Sequence, residues 1–162
     1  MAKILIIYYS RSGNTEKMAH LIEEGVKEEK VEVKSKRVED INLNELLEAD
    51  GIILGSPTYF GSMASPLKRL VDESVKYYGK LKGKVGGAFT SRQRAGGGGE
   101  TTLQSIINAF LIHGMIIQGN VEGDYYGPVA TGAPDKIVSE ECKNLGKRVA
   151  IMVKRLFPET RR

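Results

Sequence analysis

Six consecutive residues near the amino terminus combine hydroxyl, amide and glycine chemistry in one short loop. They are Ser10, Arg11, Ser12, Gly13, Asn14 and Thr15. A glycine permits a tight turn that points backbone N–H groups inward, and a helix that begins there adds partial positive charge. The loop therefore predicts a binding site for a phosphate monoester. Because Asn14 or Thr15 would also serve as an ordinary helix cap, the loop alone leaves both interpretations open.

A second cluster places two aromatic residues beside a glycine. It consists of Pro57, Thr58, Tyr59, Phe60 and Gly61. Exposed aromatic rings can cover one face of a planar ligand ring. A lone aromatic residue is more often part of the core, so this interpretation depends on the neighbouring loops.

The third cluster is a polar segment that leads into four glycines. It runs from Thr90 to Thr102 and includes Ser91, Arg92, Gln93, Arg94, Ala95 and Gly96. Glycines let the backbone approach a flat ligand closely, so that N–H and C=O groups reach its edge. The alternative is a flexible surface loop.

The elements between these clusters alternate between strand and helix patterns. Continuous apolar runs predict buried parallel strands, and mixed apolar and charged residues over 31–38 predict an edge strand. The predicted strands are 4–9, 31–38, 51–55, 84–91 and 115–118. This order predicts an α/β fold, a doubly wound sandwich with a five-stranded parallel sheet in the order 2-1-3-4-5.

The predicted helices occupy the segments between the strands and after the last one. The helix predicted to begin at Glu100 has an apolar stripe that includes Leu111, and the last helix, predicted to begin at Asp135, has one that includes Ile137. Both stripes are expected to face the core. Residues 119–134 are predicted to be a loop. All three polar clusters follow strands, and ligands bind beyond the carboxyl ends of such strands. We therefore expect the clusters to meet at one edge of a single domain that spans residues 1–162.

Composition excludes several classes of function. The 162 residues carry a net charge of +4 with a pI of about 9.1, but Lys and Glu are interspersed. Only Lys34–Arg37 and Arg161-Arg162 are locally basic, so no nucleic-acid partner is predicted. The single cysteine, Cys142, cannot form an internal disulfide and predicts no metal site; we expect a small packed side chain in a reducing cytoplasm. The apolar run at the amino terminus is too short for membrane insertion.

Together the motifs resemble a known family over nearly the whole chain. The first cluster, following Tyr8-Tyr9, resembles the phosphate loop of the flavodoxin superfamily. Three further motifs resemble the WrbA-type NAD(P)H:quinone oxidoreductases: residues 57–63, residues 89–91 with 97–102, and His113-Gly114-Met115. The chain departs from that family in two shorter segments, 37–51 and 119–134, and in having no tryptophan.

The resemblance implies a flavodoxin-like fold that binds FMN and assigns roles to the clusters. Residues 10–15 would hold the FMN phosphate, and residues 91–96 would bond the ring edge and ribityl chain. Within the cofactor-binding segment 57–61, Thr58, Tyr59 and Phe60 would flank the ring. His113 would lie near the ring as a catalytic residue at the quinone pocket. Without the resemblance, a histidine that follows a helix is more typical of a C-terminal cap.

The resemblance also implies an activity: two-electron transfer from NADH or NADPH to a quinone or similar acceptor, in a homo-oligomer (dimer or tetramer). Arg92 and Arg94 are candidate cations for stabilising negative charge on the reduced ring. One alternative is a flavodoxin-type electron carrier between proteins, although a basic pI does not favour the usual acidic carrier. A passive FMN-binding module is the other alternative.

Overall fold

The structure is a computed structural model that describes residues 1–159. Its strands are β1 Lys3–Tyr8, β2 Glu32–Arg37, β3 Gly51–Tyr59, β4 Ser62–Met63, β5 Val85–Arg92, β6 Ile116–Ile117 and β7 Val129–Thr131. Its helices are α1 Asn14–Glu28, α2 Glu45–Glu48, α3 Ser65–Glu73, α4 Gly99–Ile112 and α5 Lys136–Leu156. Arg161 and Arg162, the predicted basic tail, lie outside the described residues.

The sheet confirms the predicted topology. Its central order is β2-β1-β3-β5-β6, and all four of these pairings are parallel. The basic strand β2 lies at an edge of the sheet, as its mixed composition predicts. The carboxyl ends of β1, β3 and β5 are therefore adjacent, and the loops that follow them share one edge.

The fifth position of the sheet is split, which the sequence did not indicate. β6 pairs with Val85 and Gly86 at the start of β5, whereas β7 pairs with Thr90–Arg92 at its end. The prediction of a loop over 119–134 was therefore wrong at β7. Three residues of which only Ala130 is buried are too few to show a strand pattern.

The third strand is longer than predicted and folds back on itself. β3 continues past Gly55 to Tyr59 and pairs with β4 in an antiparallel hairpin. The polar residues and the proline after Gly55 are typical of a loop, which explains the short prediction. Register with β5 nevertheless continues to Pro57, which lies opposite Ser91.

Helices cover both faces of the sheet. One cluster joins α1 and α5 to the sheet, and the other joins α3 and α4 to its opposite face. Cys142 is fully buried in the first cluster, as predicted. Two residues predicted to face the core, Leu111 and Ile137, are exposed instead. Leu111 lies outside the buried face of α4, and Ile137 lies in the first turn of α5, before the first buried residue of that helix. None of the described helices is long and apolar enough to cross a membrane.

Candidate functional site

The loop between β1 and α1 is organised by the side chain of Ser10. Its hydroxyl accepts hydrogen bonds from the backbone N–H groups of Gly13 (3.1 Å) and Glu16 (3.3 Å). Gly13 precedes α1 with a φ of +96°, a conformation that glycine adopts without strain. The interpretation of Asn14 or Thr15 as the helix cap was therefore wrong, since α1 begins at Asn14 and the side chain that bonds to its first turn, at the amide of Glu16, is Ser10.

Several backbone donors of this loop are not used by the protein. Among the residues that the structure describes, no hydrogen-bond partner is found for the amides of Arg11, Ser12, Asn14 and Thr15. The side chains of Arg11 and Ser12 are exposed. Free amides at a helix N-terminus are the donor set that binds a phosphate dianion, so the loop fits the predicted role.

An ion pair from the edge strand braces the same loop. Arg37, the last residue of β2, donates to the carbonyl oxygen of Ser10 (2.5 Å) and to Glu16 Oε2 (2.6 Å). The hydroxyl of Tyr8 also donates to Glu16 Oε2, at 3.0 Å. This bond, together with Arg37, lowers the pKa of Glu16. Burial and the bond to Glu16 raise the pKa of Tyr8 to about 12.

Sequence reasoning missed this brace. Arg37 was recognised only as part of a basic stretch, and Glu16 was not singled out. The two residues are 21 positions apart, and no local pattern connects them. The topology would have given a hint, because β2 lies beside β1 and ends where the phosphate loop begins.

The β3–β4 hairpin presents an aromatic ring at its tip. Thr58 pairs with Met63 and Tyr59 with Ser62, which leaves Phe60 and Gly61 as a two-residue turn. Both turn residues have positive φ values, +51° and +74°, as a type I′ turn requires. A phenylalanine in this conformation is uncommon, and the side chain is fully exposed. An exposed ring at a constrained turn is a candidate ligand contact.

The β5–α4 loop packs against that turn through its last glycines. Gly98 has a φ of +95°, and a Cβ at this position would lie 2.7 Å from the Cα of Gly61. The preceding residues 93–97 are exposed. The side chain of Arg92 is paired within the protein: Nε is 3.2 Å from Thr131 Oγ1, and Nη1 is 3.5 Å from Glu100 Oε2. Its contact with a ligand stays a prediction. Arg94 is exposed at the loop.

Direct contacts join the three loops into one site. The buried hydroxyls of Thr15 and Ser91 are 2.9 Å apart and connect the phosphate loop to β5. The rings of Tyr9 and Tyr59 meet edge to face with centroids 6.4 Å apart, and this contact connects the phosphate loop to the hairpin. The hydroxyl of Thr15 is thus used inside the protein, and its backbone amide is the free donor. The structure brings the predicted segments 10–15, 57–61 and 91–96 together.

His113 does not join this site within the chain. It follows the last residue of α4, whereas the β5–α4 loop precedes the first residue of that helix. The 14 residues of α4 separate the two by about 21 Å. Its Nε2 lies 2.7 Å from Ser74 Oγ, which donates to the carbonyl of Val71 and therefore accepts from the histidine. Burial lowers the pKa of His113. The residue caps α4 and packs against the segment after α3, so its prediction beside the ring disagrees with its position.

The geometry fits a ligand with a phosphate at one end and a planar ring at the other. Comparison with protein families agrees with this geometry. The family model described as "NADPH-dependent FMN reductase" matches residues 43–123. A NAD(P)H dehydrogenase (quinone) from Archaeoglobus fulgidus is 36% identical over 96% of this chain and 100% of its own length. A flavodoxin from Clostridium saccharobutylicum is also 36% identical, over 96% of this chain and 99% of that protein.

A solved structure shows that the fold matches as well as the sequence. The WrbA-like flavodoxin from Agrobacterium tumefaciens superposes with a TM-score of 0.82 at 27% identity, over 96% of this chain and 99% of that one. The resemblance inferred from the sequence motifs is confirmed. The chain therefore belongs to the NADPH-dependent FMN reductase family and is a flavodoxin-like, FMN-dependent oxidoreductase that uses NAD(P)H.

Proposed function

We propose that this protein transfers two electrons from NADH or NADPH to a quinone or a similar small acceptor, with FMN held at the edge formed by β1, β3 and β5. The observation that carries the proposal is the junction of free helix N-terminal amides with an exposed aromatic hairpin. When bound, FMN supplies the two-electron chemistry. The chain supplies binding, orientation and charge.

The phosphate end is held by residues 10–15. The free amides of this loop donate to the phosphate oxygens, and the side chains of Ser12 and Asn14 add donors. The α1 N-terminus contributes partial positive charge. Arg37 fixes the loop through Ser10 rather than binding the phosphate itself, because its guanidinium already bonds to Ser10 and Glu16.

The ring end is held by the hairpin and the β5–α4 loop. Tyr59 and Phe60 cover one face of the ring, Pro57 and Thr58 support the hairpin, and the backbone of residues 91–97 bonds the ring edge. Arg94 is the cation of this loop that can stabilise negative charge on the reduced ring, since Arg92 is paired with Glu100. His113 is not included, because it lies at the far end of α4.

We further propose that the chain is one cytoplasmic domain that forms a homo-oligomer. Exposed apolar side chains after α3 and at the end of α4 support association: Val75, Tyr78 and Ile112 are 70%, 68% and 73% exposed. Sedimentation of the FMN-loaded protein measures its mass. A monomer at micromolar concentration would contradict this part of the proposal.

An anaerobic spectrum of the FMN-loaded, desalted protein tests the activity. We expect FMN absorbance to be retained on desalting, to be lost on addition of NADH or NADPH, and to return when a quinone is added. Free FMN at the same concentration is the control for uncatalysed reduction. Retained absorbance that neither nucleotide removes would contradict the oxidoreductase proposal, and no retained FMN would contradict the site.

A second candidate function is electron transfer between proteins. The 36% identity to a flavodoxin over 96% of the chain favours it. A carrier would retain FMN, resist direct reduction by nicotinamide and accept electrons one at a time from a reductase. The same anaerobic titration therefore separates the two functions.

A further inference from the structure

The segment between α3 and β5 carries exposed apolar side chains at the end of β5 that lies away from the proposed FMN loops. Val75 lies in the 3₁₀ turn Ser74–Tyr77, and Tyr78 follows this turn. Both are exposed, as is Ile112, the last residue of α4, and the three side chains line one open groove of about 560 Å³. The proposed FMN loops lie at the carboxyl end of the sheet, and the eight residues of β5 span about 26 Å. Residues 74–84 and 111–114, together the 74–84 surface, are therefore separate from the cofactor site.

The 74–84 surface is also basic. The sequence contains no aspartate or glutamate between Glu73 and Glu100. Lys76, Lys80 and Lys82 are exposed, and none of them forms an ion pair with an acidic side chain within residues 1–159. The sequence prediction of only two locally basic stretches therefore missed this one.

The acidic residues next to this surface are neutralised by other cations. Asp72 is paired with Lys68 at 2.6 Å, and Glu73 with Arg69 at 3.0 Å. Lys84 is used within the fold, where its Nζ donates to backbone carbonyl oxygens just before β3. The charges of the three exposed lysines are therefore left for an external partner.

We propose that the 74–84 surface binds the surface of an anionic lipid bilayer. At a membrane interface, exposed apolar side chains enter the boundary between headgroups and acyl chains, and lysines bind the anionic headgroups. Tyr78 suits this boundary because its ring is apolar and its hydroxyl is polar. The stem of Lys82 packs on the end of α4, since a Cβ at Gly114 would lie 3.3 Å from its Cγ. Its ammonium group is thus held beside the apolar side chain of Ile112.

Two other partners would use only part of this surface. A second copy of the chain competes for Val75, Tyr78 and Ile112, the side chains proposed above to associate. Two copies that met face to face here would also bring ammonium groups of like charge together, which is unfavourable. A nucleic acid would bind the lysines through its phosphates but would leave the aliphatic side chains in water. The combination of charge and apolar exposure therefore favours a bilayer.

Cosedimentation with lipid vesicles tests the proposal. We expect the protein to bind vesicles of equimolar phosphatidylcholine and phosphatidylglycerol, to bind more weakly as the salt concentration rises, and not to bind phosphatidylcholine alone. Each lysine near such a bilayer contributes about fivefold in affinity, so Lys80→Gln/Lys82→Gln should weaken binding about 25-fold. Lys17→Gln/Lys136→Gln is the matched control, because it removes the same charge from exposed positions of α1 and α5, on the other face of the sheet. It should bind within about threefold of the unmodified protein.

Ile112→Ser tests the apolar part of the surface. It should weaken vesicle binding about three- to tenfold, because less apolar area leaves water on binding. Absence of binding to the anionic vesicles would overturn the proposal, as would equal binding to phosphatidylcholine alone or unchanged affinity in Lys80→Gln/Lys82→Gln. Binding of duplex DNA but not of vesicles would overturn it in favour of a nucleic acid, and a homo-oligomer that binds no vesicles would do so in favour of a second copy. FMN-loaded and FMN-free protein should bind alike, so failure here is distinguishable from failure of the proposed function.

Discussion

The two ends of the cofactor site are built differently. At the phosphate end, Ser10 and Thr15 are buried, and Arg37 and Glu16 brace the loop through short charged bonds. At the ring end, Phe60 and residues 93–97 are exposed, and only the glycines near α4 are tightly packed. In the proposed site, the fold thus orders the phosphate end before FMN binds and leaves the ring end open to solvent. Changes at the first end should affect FMN selectively, whereas changes at the second should affect every flavin.

The largest effect is expected where the two ring loops touch. Gly98→Ala introduces a Cβ 2.7 Å from the Cα of Gly61 at a φ of +95°. The clash and the left-handed conformation together should lower the free energy of unfolding by about 2–4 kcal/mol. Urea unfolding of the FMN-free protein measures this. Gly96→Ala is the control, because its φ is also positive, at +72°, but no atom lies within 4 Å.

The brace at the phosphate end predicts a loss of stability at alkaline pH. The pKa of Tyr8 is raised to about 12, so the unfolded state loses this proton first and stability falls as the pH rises from 10 to 12. Two units correspond to about 2–3 kcal/mol over this whole range, and about half of that loss is expected by pH 11. Tyr8→Phe should remove this loss, as measured by urea unfolding at pH 9 and pH 11. Tyr78→Phe, at an exposed tyrosine, is the control; the same alkaline loss in Tyr8→Phe would contradict the brace.

Gly13→Ala tests the phosphate end directly. The new Cβ meets no atom within 4 Å, but the φ of +96° is unfavourable for alanine by about 1–2 kcal/mol. The loop should shift, and FMN should bind about tenfold more weakly while riboflavin affinity changes little. Fluorescence titration with both flavins measures the ratio. Gly79→Ala has a similar φ of +82° far from this loop and should alter neither affinity; a parallel loss of both flavins in Gly13→Ala would refute the assignment.

The smallest effect concerns the hairpin tip. Because Phe60 is fully exposed, Phe60→Ala should change the free energy of unfolding by less than about 0.5 kcal/mol. Loss of ring contact should weaken FMN and riboflavin equally, by about three- to tenfold. Phe60→Tyr keeps the ring and should bind both normally. If Phe60→Ala weakened the binding of FMN but not of riboflavin, the placement of Phe60 at the ring end would be contradicted.

Most of the fold follows from sequence patterns, because buried parallel strands are continuous apolar runs and the loops after them carry the polar clusters. The split at β6 and β7 was not predictable, since two- and three-residue strands have no periodicity. The loop residues 10–15, 57–61 and 91–96 were predicted from their chemistry, and the structure brings them together at one edge of the sheet. Arg37 and Glu16 were missed because they are 21 positions apart and no local pattern connects them. Within its own chain His113 lies at the far end of α4 from the three loops, and its role beside the ring stays a prediction.

A crystal structure of the protein with FMN tests the central claim most directly. We expect the phosphate within hydrogen-bond distance of the amides of residues 11–15. The ring should lie between Phe60 and the backbone of residues 91–97, with the bond between Arg37 and Ser10 retained. FMN bound at another edge of the sheet, or a phosphate that makes no contact with this loop, would contradict the account.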